Sequence, residues 1–213
     1  ALFIPVFFAG CSKDFLVRPP LNQIPQESFW KTEQDAVFAT NAIYDALPMD
    51  LGYRLGTMTF GDVAGDDMNC FDPNWFVKMD NFTINTSDPQ ILSSWRALWA
   101  GVTRANAVIA HVPGISMNEE LKTRLVNEAK FLRGVCYFNI VTIWGDAPLI
   151  LTELSQDELF SVTRQPQAAI WQQIEKDFSD AEALPLQYGS SDAGRATKGA
   201  AKAFLARTYL YQK

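Results

Sequence analysis

Histidine is nearly absent from this chain of 213 residues, which holds one, His111. A lone imidazole cannot build a zinc site without a Cys-x-x-Cys partner, and a nucleophilic triad would have to use that single ring. Cysteine is scarce too: Cys11, Cys70 and Cys136 are far apart and form no such pair. Basic residues are outnumbered, 18 Lys and Arg against 24 Asp and Glu, for a net charge of −6. No basic stripe appears, which argues against nucleic acid, whose phosphates demand clustered cations. After residue 10 no apolar run is long enough to span a bilayer. Also missing are an initiator Met and the charged region that would precede a secretion signal. What remains is 48% hydrophobic and 20% charged, enough to bury a real core in one domain with an excursion.

The first ten residues, ALFIPVFFAG, are apolar, end in small residues and run directly into Cys11. Such a segment is too short for a membrane-spanning helix and reads as the tail of a bacterial lipoprotein signal, with the mature chain starting at a lipidated Cys11. Residues 1–10 are thus expected to be a partial signal peptide. Phe8 makes the lipobox a relaxed one, since a smaller aliphatic is usual there. The competing reading is a buried strand with Cys11 as a core thiol. Cys70 and Cys136 are either free or joined in one bridge; two free, buried thiols are favoured because Cys136 falls on an apolar helical face.

The organisation is mainly helical. Thr32 to Asp35 can cap a helix with Ala36, Ala39, Ile43 and Leu47 inward, ending before Pro48. Residues 49–90 interrupt this with Gly, Asp, Asn and aromatics and no helical period, an irregular excursion of unusual length. Periodicity resumes at Ile91 through Leu92, Trp95, Leu98, Trp99, Val102, Ala105, Val108 and Ile109 to Pro113. It returns from Leu121 through Leu125, Ala129, Leu132, Val135, Cys136, Ile140 and Ile143 to Gly145. An extended stretch at 147–151 follows. Pro166 opens a further helix with Ile170, Ile174, Phe178, Ala181 and Leu184 inward, and Thr197 caps another carrying Ala201, Phe204, Leu205 and Thr208.

These helices repeat. Ala129-Lys130 with Tyr137-Phe138 matches Ala201-Lys202 with Tyr209-Leu210, and Trp95 and Trp171 stand at comparable places on the preceding helices. The spacing is close to the ~34-residue period of tetratricopeptide repeats, although residues 145–165 intervene. Repeats of this kind need further units to bury their faces, so truncation before a C-terminal region is expected.

Several phrases in order then resemble one family: Cys11-Ser12-Lys13-Asp14-Phe15-Leu16, Phe29-Trp30-Lys31-Thr32, Ala129-Lys130-Phe131-Leu132-Arg133 with Tyr137-Phe138, Trp144-Gly145-Asp146-Ala147-Pro148-Leu149, and Gly194-Arg195-Ala196-Thr197-Lys198-Gly199-Ala200-Ala201-Lys202-Ala203. Together they resemble the SusD/RagB family across nearly the whole chain. The resemblance implies a tetratricopeptide-like, SusD-like helical fold with inserted ligand loops, residues 11–213 being the N-terminal part of a longer domain. It also implies an outer-membrane lipoprotein of Bacteroidota that faces the exterior, captures glycans or peptides, and closes a SusC-like TonB-dependent transporter. Phe178 stands where the family usually has Leu, and the excursion is where members diverge, so no binding residue transfers by motif.

The residues themselves favour sugar. A sugar ring offers apolar C–H faces and a rim of hydroxyls, which call for exposed aromatic planes beside amides or carboxylates. Within the excursion Phe71, Asn74, Trp75, Phe76 and Asn81 supply both and are the expected ligand contacts. The plainer alternative is that Trp75 and Phe76 plug the loop onto the helices. Asp62, Asp66, Asp67 and Asp72 with Asn69 lack the spacing of an EF-hand, and sequence neighbours rarely form a glycosidase pair across a cleft, so turn caps and solvated acids are expected. His111 reads as a helix C-terminal residue beside the dipole. Asn81-Phe82-Thr83 and Asn85-Thr86-Ser87 match the glycosylation acceptor pattern, which lapses in a bacterial protein. The reading is a lipid-anchored binding protein with no catalytic role, no metal and no cofactor. Rival readings are a surface glycoside hydrolase using Asp66 or Asp67, and a tetratricopeptide scaffold binding peptides.

Overall fold

The computed structural model describes residues 29–49, 52–65, 68–71 and 76–213. Cys11 with its preceding segment, and Asn74, Trp75, Asp66, Asp67 and Asp72 of the excursion, lie outside them.

Helix α1, Glu33–Ala46, starts at a reciprocal cap. The Asp35 N–H donates to Thr32 Oγ1 at 3.2 Å and the Thr32 N–H to Asp35 Oδ2 at 2.8 Å, satisfying two donors that a helix start otherwise leaves open. The buried residues Ala36, Thr40, Ile43 and Ala46 follow the helical period and face α4, Pro89–His111. Helix α4 starts two residues before the expected Ile91, with Pro89 in its first turn, where a missing N–H costs nothing. Leu92, expected inward, is 47% exposed. At ~1.5 Å per residue, 23-residue α4 outruns 14-residue α1, so its first turns extend past the surface they would pack on.

Helix α5, Glu119–Trp144, begins at Asn118, whose side chain accepts from the Leu121 N–H at 2.9 Å, and ends where Gly145 takes φ +69°. From Phe131 to Val141 every residue is buried. One helix can be buried all round only when covered on several sides, and α5 packs against α4, α1 and α7, Gln167–Asp180. Helix α8, Lys198–Tyr211, is capped by Thr197 Oγ1, which accepts from the Ala200 N–H at 3.2 Å, and packs on α7. The sequence of helix on helix, α1 to α4 to α5 to α7 to α8, is the tetratricopeptide-like arrangement that the repeat implied.

Two glycines set the spacing of this stack. A Cβ on Gly101 of α4 would stand 2.5 Å from Cys136 Sγ of α5, and one on Gly134 would stand 2.8 Å from the Phe178 ring of α7. The thiol and the ring are thereby seated at backbone level. Around Phe178 the core is aromatic, with Phe131 at 5.6 Å and Phe204 at 5.3 Å between ring centroids, separations in the favourable range for ring pairs.

The segment between α5 and α7, expected as an extended stretch and linker, contains more structure. Strand β1, Ala147–Pro148, pairs antiparallel with β2, Arg164–Gln165, in register Ala147 to Gln165. Between them α6, Gln156–Ser161, is held by a capping box of Ser155 and Glu158. The excursion 49–90 is likewise not wholly irregular. Its described residues include α2, Tyr53–Thr57, a π-helical turn, Met58–Val63, and α3, Phe76–Asp80. Cys70 and Cys136 are both free, Cys136 buried and Cys70 half-buried. Among the described residues no helix is long and apolar enough to cross a membrane.

Candidate ligand-binding site

The excursion sits on the helices through a chain of rings. Phe60 of the π-helical turn lies 5.8 Å from Trp144, Trp144 lies 5.1 Å from Trp95, Trp95 5.5 Å from Trp99, and Trp99 5.9 Å from Tyr137. The plug is therefore Phe60, on a base of α4 and α5 tryptophans. Phe76, offered as either ligand contact or plug, is half-buried in α3 and engaged in contacts there.

Above that base, residues 76–88 form a tightly bonded corner. The Thr83 N–H donates to Lys78 O at 2.8 Å, the Asn85 N–H to Asp88 Oδ2 at 2.8 Å, and Lys78 Nζ lies 2.7 Å from Asp88 Oδ1. The Asn85 amide and the Lys78 ammonium hold the Asp88 carboxyl below its ordinary range, although the residue is only 6% exposed. The corner is joined to the preceding segment, residues 68–71, where the Cys70 N–H donates to Asp80 Oδ2 at 3.2 Å.

Flanking that bond are Phe71, 88% exposed, and Asn81 and Phe82, the latter 76% exposed. Phe82 takes φ +54°, a left-handed conformation that strains an aromatic residue and is found where surrounding bonds over-determine it. Here the Phe82 N–H to Met79 O bond at 3.2 Å and the Thr83 bond to Lys78 do so. The result is a ring turned to solvent on a rigid corner. Of the expected contacts, the structure brings Phe71 and Asn81 together around one hydrogen bond, while Asn74 and Trp75 lie outside the described residues. Phe82 was missed: it was read only as the middle of an acceptor pattern, and nothing local in the sequence signals a positive φ.

Of the other flagged residues, His111 is held in structural contacts. His111 ends α4, with its Nε2 2.5 Å from Glu153 Oε2 and its ring stacked 4.8 Å from Trp30. Asp62 and Asn69 are exposed. Among the described residues no three His, Cys, Asp or Glu converge as metal ligands.

A helical-repeat scaffold thus carries an aromatic, polar-edged excursion on one side. A family profile described as "Starch-binding associating with outer membrane" matches residues 26–210. The chain belongs to this SusD-like family. It is 31% identical to a SusD-like protein of Bacteroides ovatus, over 96% of this chain and 37% of that one. A laminarin-binding SusD-like protein superposes with a TM-score of 0.78 at 32% identity, covering 85% of this chain and 41% of that one. A structure solved with a xylogluco-oligosaccharide superposes at 0.68 with 27% identity, covering 82% and 34%. The chain thus spans about two fifths of the length of the relatives it matches.

Proposed function

We propose that this chain is the N-terminal part of an exterior-facing, lipid-anchored protein that captures oligosaccharide and hands it to a partner TonB-dependent transporter of the outer membrane. The observation that carries the reading is the pair of solvent-facing rings, Phe71 and Phe82, beside Asn81 on a rigid corner. Rings held out of the core offer stacking planes for the C–H faces of sugar, and the amide offers a donor and an acceptor for hydroxyls. Kinship with proteins described as laminarin-binding or solved with a xylogluco-oligosaccharide supports a glycan over a peptide. Asn74, Trp75 and Phe76 are proposed to complete the platform. Residues 1–10 act as the end of a signal peptide and Cys11 carries the lipid; several acyl chains anchor stably where one holds marginally. No step of this cycle requires catalysis, metal or cofactor.

The test is isothermal titration of the full-length protein with laminarin and xyloglucan oligosaccharides. Phe82→Ala and Phe71→Ala should each weaken binding of the cognate glycan about tenfold, the loss of one well-placed aromatic contact. Undiminished affinity in both variants, or release of reducing sugar by the wild-type protein, overturns the reading. Cys11→Ala should move the protein from the membrane fraction to the soluble one.

A further inference from the structure

On the face where the π-helical turn meets α5 and α8 lies a cleft of about 220 Å³, lined by Thr57, Phe60, Asn139, Thr142, Arg207 and Tyr211 among others. It uses none of Phe71, Asn81 or Phe82. Its volume is below the ~300 Å³ where drug-sized pockets begin, suiting roughly one sugar ring.

Three polar side chains border this cleft, and one of them holds a buried atom without the partner that such atoms ordinarily have. Thr57 Oγ1 is buried and unbonded. Asn139, 8% exposed, donates through Nδ2 to Val135 O at 2.8 Å, and its Oδ1 has no partner among the described residues. Arg207 lies with its guanidinium carbon 5.1 Å from the Phe138 ring centroid and 5.5 Å from that of Tyr211. Its polar contact among the described residues is a 3.4 Å bond to the Tyr211 hydroxyl, and no carboxylate pairs with it.

Three other arginines of the stack differ in this respect. Arg124, Arg133 and Arg195 all engage acids, as expected in a chain of net charge −6. With two rings beside it and no acid paired to it, the Arg207 fork can accept a carboxylate through two parallel bonds. Among the described residues no acidic side chain lines the cleft to compete. The wall opposite α5 includes the π-helical turn, a distortion that recurs at functional sites.

We propose that this cleft is a second saccharide subsite, selective for a uronic-acid residue. The carboxylate pairs with Arg207, the ring face lies against Tyr211 and Phe60, and the hydroxyls reach Thr57 Oγ1 and Asn139 Oδ1. It rests on the glycan reading for the class of ligand and on none of the residues that carry that reading.

The test pairs tri-galacturonic acid with its carboxyl-reduced neutral counterpart, titrated into the full-length protein. The acidic trimer should bind at least about tenfold more tightly, a difference a charge-assisted bidentate pair can supply. R207Q should bring the two ligands within about twofold, and Tyr211→Ala should weaken both. Arg207 and Tyr211 are exposed, so both variants should fold, which circular dichroism checks. Equal affinity for the two trimers, a preference surviving in R207Q, or no binding of the acidic trimer at millimolar concentration overturns the proposal. The glycan reading fails separately, when neutral oligosaccharides ignore Phe71→Ala and Phe82→Ala.

Discussion

Arg133 and Asp177 are 5% and 1% exposed, and they meet through two bonds, Nε to Oδ2 at 2.8 Å and Nη2 to Oδ1 at 2.7 Å. Neither could be carried into the core alone. Arg133 Nη1 also donates to Asn106 Oδ1 at 2.9 Å, Asn106 Nδ2 donates to Ile150 O at 2.9 Å, and Gln173 Nε2 donates to Asp177 Oδ1 at 2.9 Å. The bonds tie α4, α5, α7 and the stretch after β1 at one point. Burial outweighs even this support for the Asp177 carboxyl and pushes its pKa up, with Arg133 pulling the other way. The pair is thus a device for registry more than a source of net stability, which sets an unequal expectation for its variants. Arg133→Met strands a buried carboxylate and should cost about 3–5 kcal/mol in urea unfolding. The double variant Arg133→Met, Asp177→Leu should recover most of that, since no charge is left unpaired. A double variant as unstable as the single one would mean that the network's hydrogen bonds, and not the stranded charge, set the cost.

Between elements the decisive contacts are those where a glycine lets one helix approach another. Gly101→Ala puts a methyl 2.5 Å from Cys136 Sγ, too close for any real Cβ, and α4 must move or the thiol must turn. We expect about 1–3 kcal/mol of destabilisation, the usual cost of overpacking, largely rescued by Cys136→Ala. Gly134→Ala should behave alike against Phe178 and be rescued by Phe178→Leu. Additive effects in either pair, measured by double-mutant cycle, would show the helices to be free to separate. The long helices were legible because both signals agreed in them: apolar residues at helical spacing, and Thr32, Thr197, Pro166 and Gly145 at their ends. Helix α6 had a readable capping box, Ser155 to Glu158, but no apolar face to confirm it, since none of its residues is buried. The excursion hid α2, the π-helical turn and α3 because each is too short to repeat a period, and the π turn departs from 3.6 altogether. For the proposed site, composition singled out the loop and offered Phe71 and Asn81 as expected contacts. It could not find Phe82 or the Arg207 cleft, since a positive φ and a meeting of α8 with the π turn are tertiary facts.

Across the whole molecule the titrating groups divide unevenly between the acid and alkaline sides. Burial pushes the Cys136 thiol and the Tyr188 phenol each up to about 12, and raises Tyr44 and Tyr137 as well. A group with a raised native pKa keeps its proton after the unfolded chain has lost it. Its contribution is complete below the unfolded value and is lost as pH climbs toward the native one. All four groups therefore withdraw stability in the same direction, from about pH 9 to 12, and fully buried Cys136 alone accounts for on the order of 4 kcal/mol at the end of that range. On the acid side the signs conflict. Asp35 is held low by Thr32, Asp88 by Asn85 and Lys78, and Asp192 by Arg124, so their contributions exist above the ordinary carboxylate range and fade as pH falls. Glu128 and Asp177 are raised by burial, and protonating them favours the folded chain as pH falls through the same window. Arg195 Nη1 and the Tyr44 hydroxyl each donate to Glu128 Oε2 at 2.9 Å and pull against that rise. The acid arm of the stability curve should thus be shallow and the alkaline arm steep. Thermal melts from pH 4 to 11 should show Tm level between about pH 5 and 8, a small decline below 5, and a steep fall above 9. Cys136→Ala should flatten part of that alkaline fall while lowering the plateau by the volume it removes. A Tm that holds constant to pH 11 would mean that these thiol and phenol groups reach solvent in the native stack, and the packing of α5 between α4 and α7 would then be looser than its buried run from Phe131 to Val141 requires.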